Sequence, residues 1–256
     1  MVHRGEEPVI SGTRGSGTIF FSGCNLRCVY CQNARISQEC RGGIVSVERL
    51  SDIMLELQDT GVHNINLVTP THFTPQIRAA LVIARQRGLS IPIVWNSSGY
   101  ESVDTLRSMD GLVDIYLPDF RYANTDDALR YSNASDYPER ARAAIQEMYR
   151  QVGHLRLNDD GVAERGLLVR VLVFPGGVGD LPARLEWLSD AIDPLTRVSL
   201  MAQYYPAHRA AEFPPLDRPL SVEEYHQAVT ELERFGLFNG FTQEVAATPE
   251  WTPDFQ

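Results

Sequence analysis

Residues 18–33 read Thr18-Ile-Phe-Phe-Ser-Gly-Cys24-Asn-Leu-Arg-Cys28-Val-Tyr-Cys31-Gln-Asn33. The opening, Thr18 to Ser22, has the β-branched and aromatic content of a short strand, and the glycine that follows ends it. Three cysteines then fall in the loop beyond the strand, spaced C-x3-C-x2-C. Asn25, Arg27, Gln32 and Asn33 interleave them, too polar a setting for thiols used as core filler. A structural zinc site closes with four ligands, and ferredoxin-type clusters take four thiolates. A dense group of three therefore points to an iron-sulfur cluster with one iron open to a further ligand. Cys40 could complete a tetrathiolate zinc site, but it stands nine residues beyond Cys31, outside the paired C-x2-C pattern.

Outward from this strand, strand-like and helix-like stretches alternate to the end of the chain. Further strands are predicted at Ile65–Val68, Ile93–Asn96, Asp114–Leu117, Leu167–Phe174 and Val198–Met201. A helix from about Val47 to Thr60 has Ser46 as its N-cap, and another begins at Thr74 with Pro75 in its first turn and stops near Arg87 at Gly88. Asp136 with Glu139, and Ser221 with Glu224, read as capping boxes. A repeated β-then-α order requires parallel strands with right-handed crossovers, so the predicted fold is an α/β partial (β/α)6 TIM-like barrel. The run Phe174-Pro-Gly-Gly-Val-Gly179 lacks the order of a nucleotide loop and reads as a strand-to-helix turn.

Length and composition bound the rest. At 256 residues and 43% hydrophobic, the chain suffices for one large core, and residues 1–256 are predicted as a single domain with a short lead-in and a C-terminal strap, Thr248 to Phe255. Met1 to Pro8 lack an apolar leader and no later stretch reaches membrane-spanning length, from which a soluble, cytoplasmic protein is expected. The formal charge of −10 argues against a general electrostatic grip on nucleic acid. All 23 basic residues are arginine. Without lysine, Schiff-base chemistry and P-loop phosphate binding are excluded.

In such barrels chemistry gathers at the C-terminal ends of the strands. Three polar stretches fall there: Thr69-Pro-Thr-His72, Asn96-Ser-Ser-Gly99 and Asp119-Phe-Arg121. The cysteine loop, together with Asp114-Ile-Tyr-Leu-Pro-Asp-Phe-Arg121 and Leu168-Val-Arg-Val-Leu-Val-Phe-Pro-Gly176, resembles the pyruvate formate-lyase activating enzymes of the radical SAM superfamily, in their PflX-like branch. The resemblance implies a [4Fe-4S] cluster on Cys24, Cys28 and Cys31, and S-adenosylmethionine on its open iron. It further implies an electron donor of flavodoxin or ferredoxin type. Tyr30 resembles the residue against the adenine. Thr69, Pro70 and Thr71 stand where the family has a Gly-Gly-Glu run that receives the methionine amino group. Asn96 and Ser97 match the third strand's end. Asp119 and Arg121 match an Asp-Leu-Lys triplet that helps hold a monovalent cation and contacts the methionine moiety. Arg170 resembles a carboxylate-binding arginine, with an interior ion pair as the plain alternative, and Gln203 or Tyr204 stands at the ribose position.

The activity so implied is reductive cleavage of S-adenosylmethionine to a 5′-deoxyadenosyl radical that abstracts hydrogen from a glycyl-radical-type protein. Small-molecule or RNA substrates are the rival readings. A non-catalytic iron-sulfur or zinc-binding protein is the alternative of another class. The first strand begins at residue 18, which leaves little room before it for an auxiliary-cluster domain, and this too implies a separate reductant.

Overall fold

The computed structural model of the chain describes residues 1–245. The expected strap from Thr248 to Phe255 lies outside the described residues. The strands are β1 (Val2–His3), β2 (Ser16–Phe20), β3 (Ile65–Val68), β4 (Ile93–Ser97), β5 (Ile115–Pro118), β6 (Arg156–Leu157), β7 (Ala163–Leu172), β8 (Arg197–Met201) and β9 (Phe241–Thr242). They form one curled sheet in the order β1-β2-β3-β4-β5-β7-β8-β9, with β6 pairing β7 off this path. From β2 to β9 the neighbours on that path run parallel, while β1 and β6 pair antiparallel. The six predicted strands are all present as the staves of this partial barrel. The first lies two residues earlier than expected, because the chain leaves the ladder after Phe20 and Gly23 turns it at φ +84°.

Side chains alternate across a strand, so the sheet register sorts them into two faces. Leu67, Trp95, Tyr116 and Leu167 are paired neighbours in one row. They belong to the large core beneath the helices. The helices Val47–Asp59 and Thr74–Gln86 pack there through Leu50, Met54 and Leu57 and through Ile77, Leu81 and Ala84, at helical three-and-four spacing. Val94, Ile115, Leu117 and Leu168 form a second buried cluster with Val9 and Ile10 of the short helix Pro8–Ser11. These residues fill the lumen. The lumen is thus apolar where Val9 and Ile10 plug it and polar higher up, where Asn96 and Arg170 occupy the inward positions.

Several local expectations hold. Ser46 Oγ caps its helix by accepting from Arg49 N at 3.1 Å, and Ser221 with Glu224 makes a complete capping box. Phe174 to Gly179 is a turn between β7 and the helix Leu181–Ala191. Asp136 is a correction: it stands at the N-cap of Tyr137–Val152 but makes no side-chain cap bond. Its carboxylate is taken instead by Tyr100 Oη and Arg140 Nε, stronger partners than a backbone amide.

Between β5 and β7 the ladder opens. Only Ile115↔Gly166 and Tyr116↔Leu167 pair, whereas β7 and β8 pair over five positions from Leu168 to Leu172. Gly166 sits at φ +128° against the backbone of His154 and Leu155, where a Cβ would collide, so a glycine is required at the divergence. Across the gap, fully buried Arg184 donates through Nη1 to Phe120 O at 2.9 Å and to Leu172 O at 3.2 Å. Burial pulls its guanidinium pKa down to about 10.

Candidate functional site

The cysteine loop leaves β2 and packs its backbone on two distant segments. Arg27 N donates to Ser132 O, Val29 N donates to Tyr131 O, and Val29 O accepts from Arg209 N. This holds the three thiols along one wall of a cavity of about 900 Å³. Leu26 N reaches Cys24 Sγ at 3.4 Å, Ser132 Oγ lies 3.0 Å from Cys28 Sγ, and Ser37 Oγ 3.1 Å from Cys31 Sγ. Burial pushes the Cys24 thiol up to about 11, with neighbouring Cys28 adding to the shift, and burial raises Cys31 as well. Such thiols are protonated at neutral pH, so metal binding must displace their protons. Cys40 is exposed and absent from the cavity wall, so the fourth ligand of a closed tetrathiolate is not at hand. Among the described residues no three His, Cys, Asp or Glu side chains surround a single-ion position. The donor set fits a cluster carried at three irons, with hydrogen-bond donors already placed on its thiolates.

The same cavity is bordered by a row of alternating charges. Asp119, at the end of β5, takes Arg121 Nη2 on Oδ2 at 2.5 Å and Arg170 Nε on Oδ1 at 2.8 Å. Arg170 also donates to Asn96 Oδ1 at 2.6 Å and faces Glu6 Oε2 at 3.6 Å. Tyr137 fixes the backbone beneath: its hydroxyl accepts from Arg121 N at 2.9 Å and lies 2.8 Å from Asp119 O. Gly99 is needed beside it, since a side chain there would strike Asp119 O. Both Asp119 oxygens are thus engaged by guanidinium groups. Arg121 Nη1 points to Cys28 Sγ at 3.6 Å, while its buried Nε has no partner among the described residues.

Glu6 lies on the lead-in segment that borders the cavity, with its side chain 12% exposed, and accepts from Asn66 Nδ2 at 2.9 Å. Burial raises its carboxyl pKa from 4.5 to about 7; Arg170 opposes the shift and Glu7 and Asp119 add to it. The folded state therefore holds the proton more tightly than the unfolded chain. Its stabilising contribution is complete below pH 4.5 and is lost as pH rises through about 7. Relative to Glu6→Gln, wild-type protein should lose thermal stability between pH 5 and pH 8, by roughly 2–3 kcal/mol. Melting curves of the two proteins across that range check it, and parallel curves would remove Glu6 as the titrating group.

Of the residues predicted from sequence, Cys24, Cys28, Tyr30, Cys31, Thr69, Asn96, Ser97, Asp119, Arg121, Arg170 and Gln203 border this one cavity. Thr71 does not. Its hydroxyl turns away to donate to Glu101 Oε1 at 2.8 Å, a buried carboxylate that Trp95 Nε1 also approaches at 3.4 Å. Thr69 adopts φ +58°, a region that suits glycine and strains a β-branched residue, at the position where the resemblance implies glycine. Sequence reasoning missed Glu6, Ser37, Tyr122 and Ser132. The acidic pair Glu6-Glu7 just before Pro8 was a usable signal for the first, but the hydroxyls carry none.

The Radical SAM superfamily matches residues 18–155. The "Uncharacterized protein MJ0674" of Methanocaldococcus jannaschii is 30% identical over 244 residues, covering 92% of this chain and 66% of that protein. Similar solved structures include the FeFe-hydrogenase maturase HydG from Carboxydothermus hydrogenoformans, with TM-score 0.59, 13% identity, and 89% of this chain and 52% of that one covered. Streptococcus suis SuiB bound to precursor peptide SuiA gives TM-score 0.57 at 10% identity, over 88% of this chain and 48% of that one. Methylornithine synthase, PylB, gives 0.53 at 17% identity, over 89% of this chain and 63% of that one. At these identities the structural likeness shows the fold. The chain spans between about half and two thirds of the length of the relatives it matches.

Proposed function

This chain belongs to the radical SAM superfamily, whose members use a [4Fe-4S] cluster and S-adenosylmethionine, and from that premise we propose that it cleaves S-adenosylmethionine to activate a glycine in a partner polypeptide. The observation that carries the proposal is the single cavity bordered by three thiols and by the Asp119, Arg121 and Arg170 row. When bound through Cys24, Cys28 and Cys31, the cluster would pass an electron from an external reductant to S-adenosylmethionine and so would supply the reductive cleavage and hydrogen-abstracting chemistry.

The chain's own residues supply position and exclusion of water. Cys24, Cys28 and Cys31 hold three irons. The Arg121 guanidinium, which borders the cavity, is the donor group for the methionine carboxylate, while Asp119 keeps it aimed. Thr69, Ser97 and Ser98 border the cavity and offer hydroxyls or carbonyls to the amino group in place of a glutamate. Tyr30 packs against the adenine and Gln203 takes the ribose. Glycyl activation is supported by the family resemblance and by the open sheet, whose β1 and β9 ends do not pair among the described residues. SuiB, of similar fold, was solved with a precursor peptide. An external flavodoxin- or ferredoxin-type reductant completes the reading.

Arg121→Ala should keep its cluster and bind S-adenosylmethionine about tenfold more weakly, the size of one lost charge-assisted hydrogen bond. Unchanged affinity by titration would take Arg121 out of the site. The reaction itself is tested by incubating reduced, reconstituted protein with candidate glycyl-radical-type proteins, measuring 5′-deoxyadenosine and a protein radical by EPR. A small metabolite consumed stoichiometrically, with no protein radical, would overturn the glycyl reading.

A further inference from the structure

Arg121 is joined to Cys28 by two routes. One is direct, Nη1 to Sγ at 3.6 Å. The other runs through three hydroxyls. Arg121 Nη1 lies 3.4 Å from Tyr30 Oη, Tyr30 Oη 2.6 Å from Tyr122 Oη, Tyr122 Oη 2.7 Å from Ser132 Oγ, and Ser132 Oγ 3.0 Å from Cys28 Sγ. Tyr30, Tyr122 and Ser132 are all buried, at 4%, 0% and 1% exposure.

The direction of this string is forced by its ends. A guanidinium only donates, and a metal-bound thiolate only accepts. Each hydroxyl between them has a single proton. Ser132 must give its proton to Cys28, so its oxygen accepts from Tyr122. Tyr122 then accepts from Tyr30, and Tyr30 from Arg121. Each donor in such a chain is polarised by the one behind it, and burial keeps water from competing. The string joins three segments: the cysteine loop, the turn after β5 that carries both Arg121 and Tyr122, and the end of the helix Thr125–Ser132, the last 104 residues from Cys28.

We propose that Tyr30, Tyr122 and Ser132 form a donor relay that withdraws electron density from the Cys28 thiolate and raises the reduction potential of the cluster. Hydrogen bonds to cluster sulfurs stabilise the more negative, reduced form, and a charged donor at the head of the string strengthens the last bond. The relay residues are positioning residues: only Ser132 touches the ligand sulfur. The inference rests on Cys28 being a cluster ligand.

The test is an EPR-monitored redox titration of the reconstituted protein and its variants, each with iron and sulfide content measured first. Ser132→Ala should lower the midpoint potential most. Tyr122→Phe, which removes one oxygen and touches no thiol, should lower it by less, and Tyr30→Phe by less again. Ser132→Thr, which keeps the hydroxyl, should restore a midpoint near wild type. A fully loaded Tyr122→Phe protein with the wild-type midpoint would overturn the relay. If Ser132→Ala fails to hold the cluster, the two phenylalanine variants decide alone: lowered midpoints uphold the relay and unchanged ones overturn it. A Cys28→Ala protein that binds the full cluster would instead sink the ligand assignment on which the relay rests.

Discussion

Replacing Cys24, Cys28 or Cys31 singly by alanine should leave reconstituted protein almost free of cluster-bound iron and sulfide, and with it of 5′-deoxyadenosine formation. Each thiol has its own hydrogen-bond donor, so each position is built rather than interchangeable. With only three thiols on the cavity wall, losing one leaves a cluster two protein ligands, and water would have to replace the third. Cys40→Ala should keep full cluster content, because Cys40 lies exposed at φ +52° outside the cavity. Iron and labile sulfide assays on the four variants check this. The opposite pattern, Cys40→Ala empty and Cys28→Ala loaded, would replace the open three-thiolate site with a closed one.

Asp119→Ala should be the most damaging change outside the cysteines. It removes the one carboxylate shared by two guanidinium groups whose side chains are only 22% and 15% exposed. Both arginines would remain charged, since guanidinium does not deprotonate to escape its surroundings. Breaking a buried pair from one side costs about 3 kcal/mol or more, which in a chain of this size corresponds to a melting temperature lower by roughly 10 °C. Affinity for S-adenosylmethionine should fall as well, because Arg121 loses the partner that aims it. Asp119→Asn should recover part of the stability, since the amide oxygen can still accept from one arginine. Calorimetry of the two variants separates these outcomes, and an Asp119→Ala protein as stable as wild type would show that the row is not coupled.

The strands were legible because each is a compact apolar run between turn residues, and the cavity rim was legible because polar residues follow those runs directly. The short strands Val2–His3, Arg156–Leu157 and Phe241–Thr242 were not visible, since two-residue strands carry no period. Asp136 misled for a different reason. Spacing suggested a cap, but Tyr100 and Arg140 arrive from elsewhere and outcompete the amide. Thr71 matched a family position by order in sequence, while Glu101, thirty residues on, turns its hydroxyl away from the cavity. Ser132 lies 104 residues from the thiol it meets. Contacts of that kind exist only once the sheet has curled, and no local pattern announces them.

The opening between β5 and β7 divides the sheet's hydrogen bonds into two ladders, joined by two residue pairs, an isolated Asp119↔Arg170 bridge and the buried Arg184. Cooperative opening follows the continuity of such ladders. The protein should therefore behave as two exchange units in deuterium, with amides of β2 to β5 protected as one set and those of β7 and β8 as another. Phe120 N, which donates to Arg170 O across the divide, would report the boundary between them.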